Sequence, residues 1–114
     1  MKFEIFKDSG KISELEVPLY EMESGAEIYV GRSDDCHIIL EDQQISRHHA
    51  MLFWSNDCLN IKKLSDLGSI YINGVEQKEV SIKQGDKVSI LDYVILASDL
   101  PTKGERIQDS PLID

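Results

Sequence analysis

The chain has 114 residues, 41% of them hydrophobic, and a formal net charge of −9. That length suits one domain whose core is stable without metal or disulfide, and the hydrophobic content excludes compositional disorder. The charge argues against a nucleic-acid partner, which demands a basic face, and no apolar run approaches the roughly 20 residues of a membrane span.

The N-terminus, Met1 to Asp8, carries charges where a signal peptide needs an apolar block, so a soluble, cytoplasmic protein is expected. Lys2 to Lys7 alternates, with Phe3 and Ile5 on one face. Alternation returns from Ile12 to Tyr20, placing Leu15, Val17 and Leu19 on a common face. Glu23-Ser24-Gly25 is a turn signal. Ile28 to Val30 reads as a short strand ending at Gly31, Ser33 to Asp35 as a turn, and Ile38 to Leu40 as another strand. Glu41 to His48 is mostly polar and reads as loop, followed by the β-prone run Ala50 to Trp54. Ser55-Asn56-Asp57 predicts a hairpin into Leu59 to Leu64.

Ile70 to Ile72 leads into Asn73-Gly74, the strongest hairpin signal in the chain. Val80 to Ile82 and Val88 to Ile90, joined by Gln84-Gly85-Asp86, predict a further hairpin, and Tyr93 to Ala97 closes the set. About ten or eleven strands with no convincing helix suit an all-β fold, an antiparallel β-sandwich. Residues 99–114 lose the alternation, hold two of the three prolines, and read as a flexible tail or the start of a linker after a domain of residues 1–98.

The chemistry is concentrated in residues 31–50, where Arg32, Ser46 and Arg47 stand in polar segments between apolar runs. Catalysis needs a nucleophile, a base and a group to orient the base, and no such set is visible, so no enzyme is expected. Arginine forks and a hydroxyl are suited to hold a tetrahedral anion, with phosphate first among candidates. Cys36 and Cys58 read as buried thiols. Cys36, His37, His48, His49 and Cys58 lack the close pairing of a zinc site, so neither metal nor cofactor is expected. Asp34-Asp35 and Glu41-Asp42 read as solvated turns, and Trp54 and Tyr71 as packing residues.

Gly31-Arg32, Ile45-Ser46-Arg47-His48-His49-Ala50 and Tyr71-Ile72-Asn73-Gly74, in this order and spacing, resemble the forkhead-associated (FHA) domain over roughly residues 1–98. The resemblance implies an eleven-stranded β-sandwich that binds phosphothreonine peptides through loops at one end, with a Ser/Thr kinase acting upstream. It implies that Ser46 and Arg47 contact the phosphate and that Arg32 supports the peptide backbone. Gly31, His49 and Asn73 are implied as structural support, His49 as a buried strut behind the Ser46 loop.

One segment departs from the family. Members usually carry Ser-Thr-Asn-Gly-Thr just before the Tyr-Ile-Asn-Gly segment, and here the stretch reads Asp66-Leu67-Gly68-Ser69-Ile70. Aligned without gaps, Leu67 and Gly68 take the ligand-binding places of the threonine and the asparagine, and an asparagine at residue 68 is expected to restore a peptide clamp. Aligned with a gap, Gly68-Ser69 match an earlier Gly-Ser and the asparagine is deleted. Either way the clamp is weakened, which leaves a degenerate domain that binds its partner without phosphate as the rival expectation. Thr102, the chain's only threonine, lies in the Pro-rich tail, and its phosphorylated form is a conceivable self-ligand.

Overall fold

Period-two alternation, seen along most of the chain, lets each strand bury one face, and two sheets share the apolar side. The computed structural model describes residues 1–101. Among them the elements are β1 (Lys2–Lys7), β2 (Gly10–Glu16), α1 (Leu19–Glu23), β3 (Ile28–Gly31), β4 (Ile38–Ile39), β5 (Ala50–Ser55), β6 (Cys58–Lys63), β7 (Ile70–Ile72), β8 (Val75–Gln77), β9 (Glu79–Ile82), β10 (Lys87–Ile90) and β11 (Tyr93–Asp99). One sheet has the order β2-β1-β11-β10-β7-β8, the other β4-β3-β5-β6-β9. The expected all-β sandwich is therefore found, with one parallel pair, β3 with β4, among antiparallel neighbours.

The core lies between the sheets. Phe3, Ile5, Ile70, Val88, Ile90 and Ile95 enter it from the first sheet, and Ile28, Val30, Leu52, Leu59, Ile61 and Ile82 from the second. Each such side chain contributes roughly 1.5–3 kcal/mol when fully buried.

Two-residue hairpins carry the sharpest local signals. Asn56 and Asp57 both take positive φ, 56° and 60°, between β5 and β6. Asn73 and Gly74 do so at 52° and 87° between β7 and β8. Both loops match the left-handed backbone that primed turns require.

Three expectations fail. The alternation through Leu19 and Tyr20 does not continue as strand, and a short helix, α1, takes its place. The strand ladder stops because Pro18 has no N–H to donate, and the following turn buries Met22. Nor do β9 and β10 form a hairpin: β9 pairs with β6 in one sheet and β10 with β7 and β11 in the other. Gln84-Gly85-Asp86 is instead a corner between sheets, held by Gly85 N–H donating to the Ala97 carbonyl at 2.8 Å. The two cysteines also differ, since Cys36 is buried and Cys58 half-buried.

At the C-terminal side, β11 runs to Asp99 and Leu100 is buried, its N–H donating to Gln84 Oε1 at 3.1 Å. Thr102 and the rest of the expected tail lie outside the described residues.

Candidate functional site

Antiparallel pairing of β3 with β5 and of β5 with β6 brings three connections to one end of the second sheet. These are residues 32–37, 40–49 and 64–69. The first two are stitched together by backbone: Arg32 N–H donates to the Ser46 carbonyl at 3.0 Å and Ser33 N–H to the Arg47 carbonyl at 3.2 Å. The stitch explains Gly31. A Cβ there would lie 2.1 Å from the Arg47 carbonyl oxygen, so only glycine permits this approach.

Buried anchors on both sides hold the segment Ser46-Arg47-His48 at the surface. Ile45 and His49 are almost fully buried, while Arg47 and His48 are exposed and Ser46 is half-buried. Ahead of Ile45, Asp42 accepts from Gln44 N–H at 2.8 Å through its side chain and from Ile45 N–H at 2.9 Å through its carbonyl. That local closure aims the chain back into the core.

His49 is the strut behind the loop. Its Nδ1 accepts from Ser46 N–H at 3.3 Å, and its Nε2 lies 3.0 Å from the Ser69 carbonyl oxygen. A backbone N–H only donates and a carbonyl only accepts, so the ring proton sits on Nε2. The neutral imidazole thus ties the Ser46 loop to the start of β7. Gly68 lies against the same ring: a Cβ on it would fall 2.1 Å from His49 Cε1. Residue 68 therefore has no room for an asparagine side chain, and the gapped alignment is the one consistent with the packing.

Neither arginine of the site has an acidic partner in contact among the described residues. Arg32 Nε donates to the Ile45 carbonyl at 2.9 Å, which fixes the stem of the fork. Among the described residues its two terminal nitrogens and the guanidinium of Arg47 have no hydrogen-bond or ion-pair partner. Arg32, Ser46 and Arg47 form a patch of hydrogen-bond donors, on connections that also carry Asp34, Asp35, Glu41, Asp42 and Asp66.

Several residues beside the patch have other duties. Exposed His48 pairs with Asp35, Nε2 to Oδ1 at 3.0 Å, and packs edge-on to the Tyr29 ring. Hydrogen bonds from Ser33 and then His48 hold the Asp35 carboxyl below its usual range. Asn73 sits at the far end of β7 from Ser69, where its side chain donates to Asp86 and accepts from Lys87 N–H. Leu67 is 98% exposed at the tip of the third loop. Open clefts, one lined by Phe6, Lys87, Val94 and Leu96, share no residue with the patch.

Two participants escape sequence reasoning. Buried Cys36 donates its S–H to the Arg47 carbonyl at 3.1 Å, and burial, then the neighbouring Asp35, push its thiol pKa up. Ser65 lies with its Oγ 2.6 Å from Ser46 Oγ and accepts from Leu67 and Gly68 N–H. A serine two and three residues before polar-loop amides is a recognisable side-chain turn, so this second signal was open to reading. Asp35, Cys36 and His48 also come within 4.8 Å of one another through their ligand atoms, a grouping invisible in their spacing.

Comparison with known proteins bears on the family and the fold. The family model described as the FHA domain matches residues 28–91, more than half of the chain. No curated protein matches the sequence. The fold is similar to that of the N-terminal FHA domain of Rad53p from S. cerevisiae, solved in complex with a phosphothreonine peptide. There the TM-score is 0.65 at 17% identity, covering 84% of this chain and 93% of that one. It is also similar to the FHA domain of the CT664 protein from Chlamydia trachomatis, with a TM-score of 0.69 at 20% identity, covering 83% and 92%. A third similar fold is the FhaA FHA domain complexed with the intracellular domain of Rv3910, with a TM-score of 0.68 at 18% identity, covering 83% and 96%.

Proposed function

The chain belongs to the forkhead-associated family, and from that premise we propose that it binds a phosphothreonine segment of a partner protein. FHA domains are generally interaction modules rather than enzymes, and this chain is read as one: it recognises a phosphate that a Ser/Thr kinase has placed, and acts in the cytoplasm.

The observation that carries the reading is the pair of arginines without acidic partners beside Ser46, whose backbone N–H is held by buried His49. A phosphorylated side chain brings a charge of about −1.5 to −2 and three acceptor oxygens. Arg47 and the Ser46 hydroxyl supply donors to it, and Arg32 supplies positive field and support for the peptide backbone. Hydrogen bonds to a charged group contribute roughly 1.5–3 kcal/mol each, from which the costs of association are subtracted. The clamp offered by the shortened third loop is weak, so Leu67 and Gly68 add shape rather than donors. Affinity of the modest, signalling kind follows.

The near-complete exposure of Leu67 favours a second reading, an apolar contact with a partner that needs no phosphate. Self-recognition through phosphorylated Thr102 is a narrower form of the first reading. A degenerate phosphothreonine peptide library, screened against the wild type and an Arg47→Ala/Ser46→Ala variant, separates the two. Enrichment of a phosphorylated consensus by the wild type alone supports phosphate recognition. Equal capture by both proteins refutes it.

A further inference from the structure

We propose that Ser65 is a positioning residue for the phosphate: it donates its hydroxyl proton to Ser46 and so aims the Ser46 hydroxyl at the ligand. The inference rests on the functional reading above and adds to it a part of the machinery outside the residues that carry the family resemblance.

A serine hydroxyl has one proton and two acceptor lone pairs. Ser65 Oγ receives Leu67 N–H at 3.2 Å and Gly68 N–H at 3.1 Å, which fills both. Ser46 Oγ lies 2.6 Å away, a distance that requires one proton between the two oxygens. If Ser46 gave that proton, three donors would crowd the two lone pairs of Ser65. The proton is therefore Ser65's own, and Ser46 Oγ accepts it. With Ser65 as the donor in this contact, no other acceptor for the Ser46 proton is found among the described residues, and the proton is left for a ligand.

This arrangement does two things. It holds the Ser46 oxygen in place and bars its proton from the position facing Ser65, so less ordering remains for the ligand to impose. It also links donors in series, from the amides of Leu67 and Gly68 through Ser65 to Ser46, and donors in series polarise one another. In this shortened loop those two amides are consumed by Ser65 instead of facing outward. The loop then acts on the ligand through Ser46.

A double-mutant cycle tests this, using a phosphothreonine peptide selected by the library above. Ser65→Ala should weaken binding about fivefold, the size of one net hydrogen bond. Ser65→Thr, which keeps the hydroxyl, should restore most of the loss. In a Ser46→Ala background, Ser65→Ala should change the affinity no further, because the residue acts through Ser46. An equal loss with and without Ser46, or no loss in the wild type, overturns the proposal. If the wild type does not prefer phosphorylated peptide, the functional reading fails by itself, and the hydroxyls are then read by NMR without ligand. A slowly exchanging hydroxyl proton coupled to the Ser65 β-protons supports the assignment. One coupled to Ser46, or none, overturns it.

Discussion

Gly68→Ala tests the packing on which the site depends. The new Cβ would lie 2.1 Å from His49 Cε1 and 2.6 Å from Nε2. Carbon atoms rest about 3.5–4.0 Å apart, so the ring has to move by more than ~1 Å or stay overpacked. The ring is 2% exposed and held at both nitrogens, by Ser46 N–H and by the Ser69 carbonyl. Overpacking costs about 1–3 kcal/mol, and leaving a buried partner unsatisfied costs about 1–3 kcal/mol. These are alternatives, since moving the ring relieves the first and incurs the second, so about 2–3 kcal/mol is expected. For a domain of this size that lowers Tm by roughly 10–20 °C. Circular-dichroism melts measure it, with Gly10→Ala as the control, because a Cβ there meets only the Lys7 carbonyl oxygen at 3.6 Å. A Gly68→Ala melt within about 3 °C of that control, less than the shift from 1 kcal/mol, would refute the reasoning. Gly68→Asn has the same clash and more, so restoring the family's asparagine at this position should damage the site rather than repair a clamp.

Three other outcomes are expected. Arg47→Ala should weaken phosphopeptide binding by about tenfold or more, the loss of one charge-assisted hydrogen bond, while Tm stays within a few degrees because the side chain is exposed and unpaired; isothermal titration and a melt check both. The raised pKa of the Cys36 thiol makes its contribution to stability complete below the ordinary thiol value of 9.0 and lost as pH rises through the higher folded-state value. Wild-type Tm should therefore fall more steeply above pH 9.0 than that of Cys36→Ser, which keeps a donor for the Arg47 carbonyl, and parallel slopes would remove the thiol from the account. Leu91 holds a φ of 53° at the first position of the β10–β11 loop, so Leu91→Gly should raise stability by about 0.5–1 kcal/mol in chemical denaturation, and a loss would show that its exposed side chain packs usefully.

The sandwich was legible because alternation reports which face of a strand is buried. It does not report which sheet a strand joins, and for that reason Gln84-Gly85-Asp86 reads as a hairpin when it is a corner. Pro18 was a visible stop signal, but the alternation on both sides of it concealed the short helix that buries Met22. At the site, Arg32, Ser46, Arg47 and His49 stood out through residue type and resemblance. The Ser46–Ser65 link and the Cys36 thiol under Arg47 did not, because each joins positions on separate loops. The fit of Gly68 against His49 was equally hidden: which alignment holds depends on space beside a ring nineteen positions earlier in the chain, not on the order of letters.

Phosphate dependence is the central claim, and a matched pair of peptides tests it most directly. The selected phosphothreonine peptide and its unphosphorylated twin are titrated into the same protein, at two salt concentrations, by fluorescence anisotropy. Two charge-assisted hydrogen bonds at roughly 1.5–3 kcal/mol each set the scale, and after desolvation of the phosphate at least a 30-fold preference, about 2 kcal/mol, is expected. The preference should shrink as salt screens the exposed arginines. Equal affinities for the two peptides, unchanged by salt, would contradict the account and leave a domain that reads its partner without phosphate.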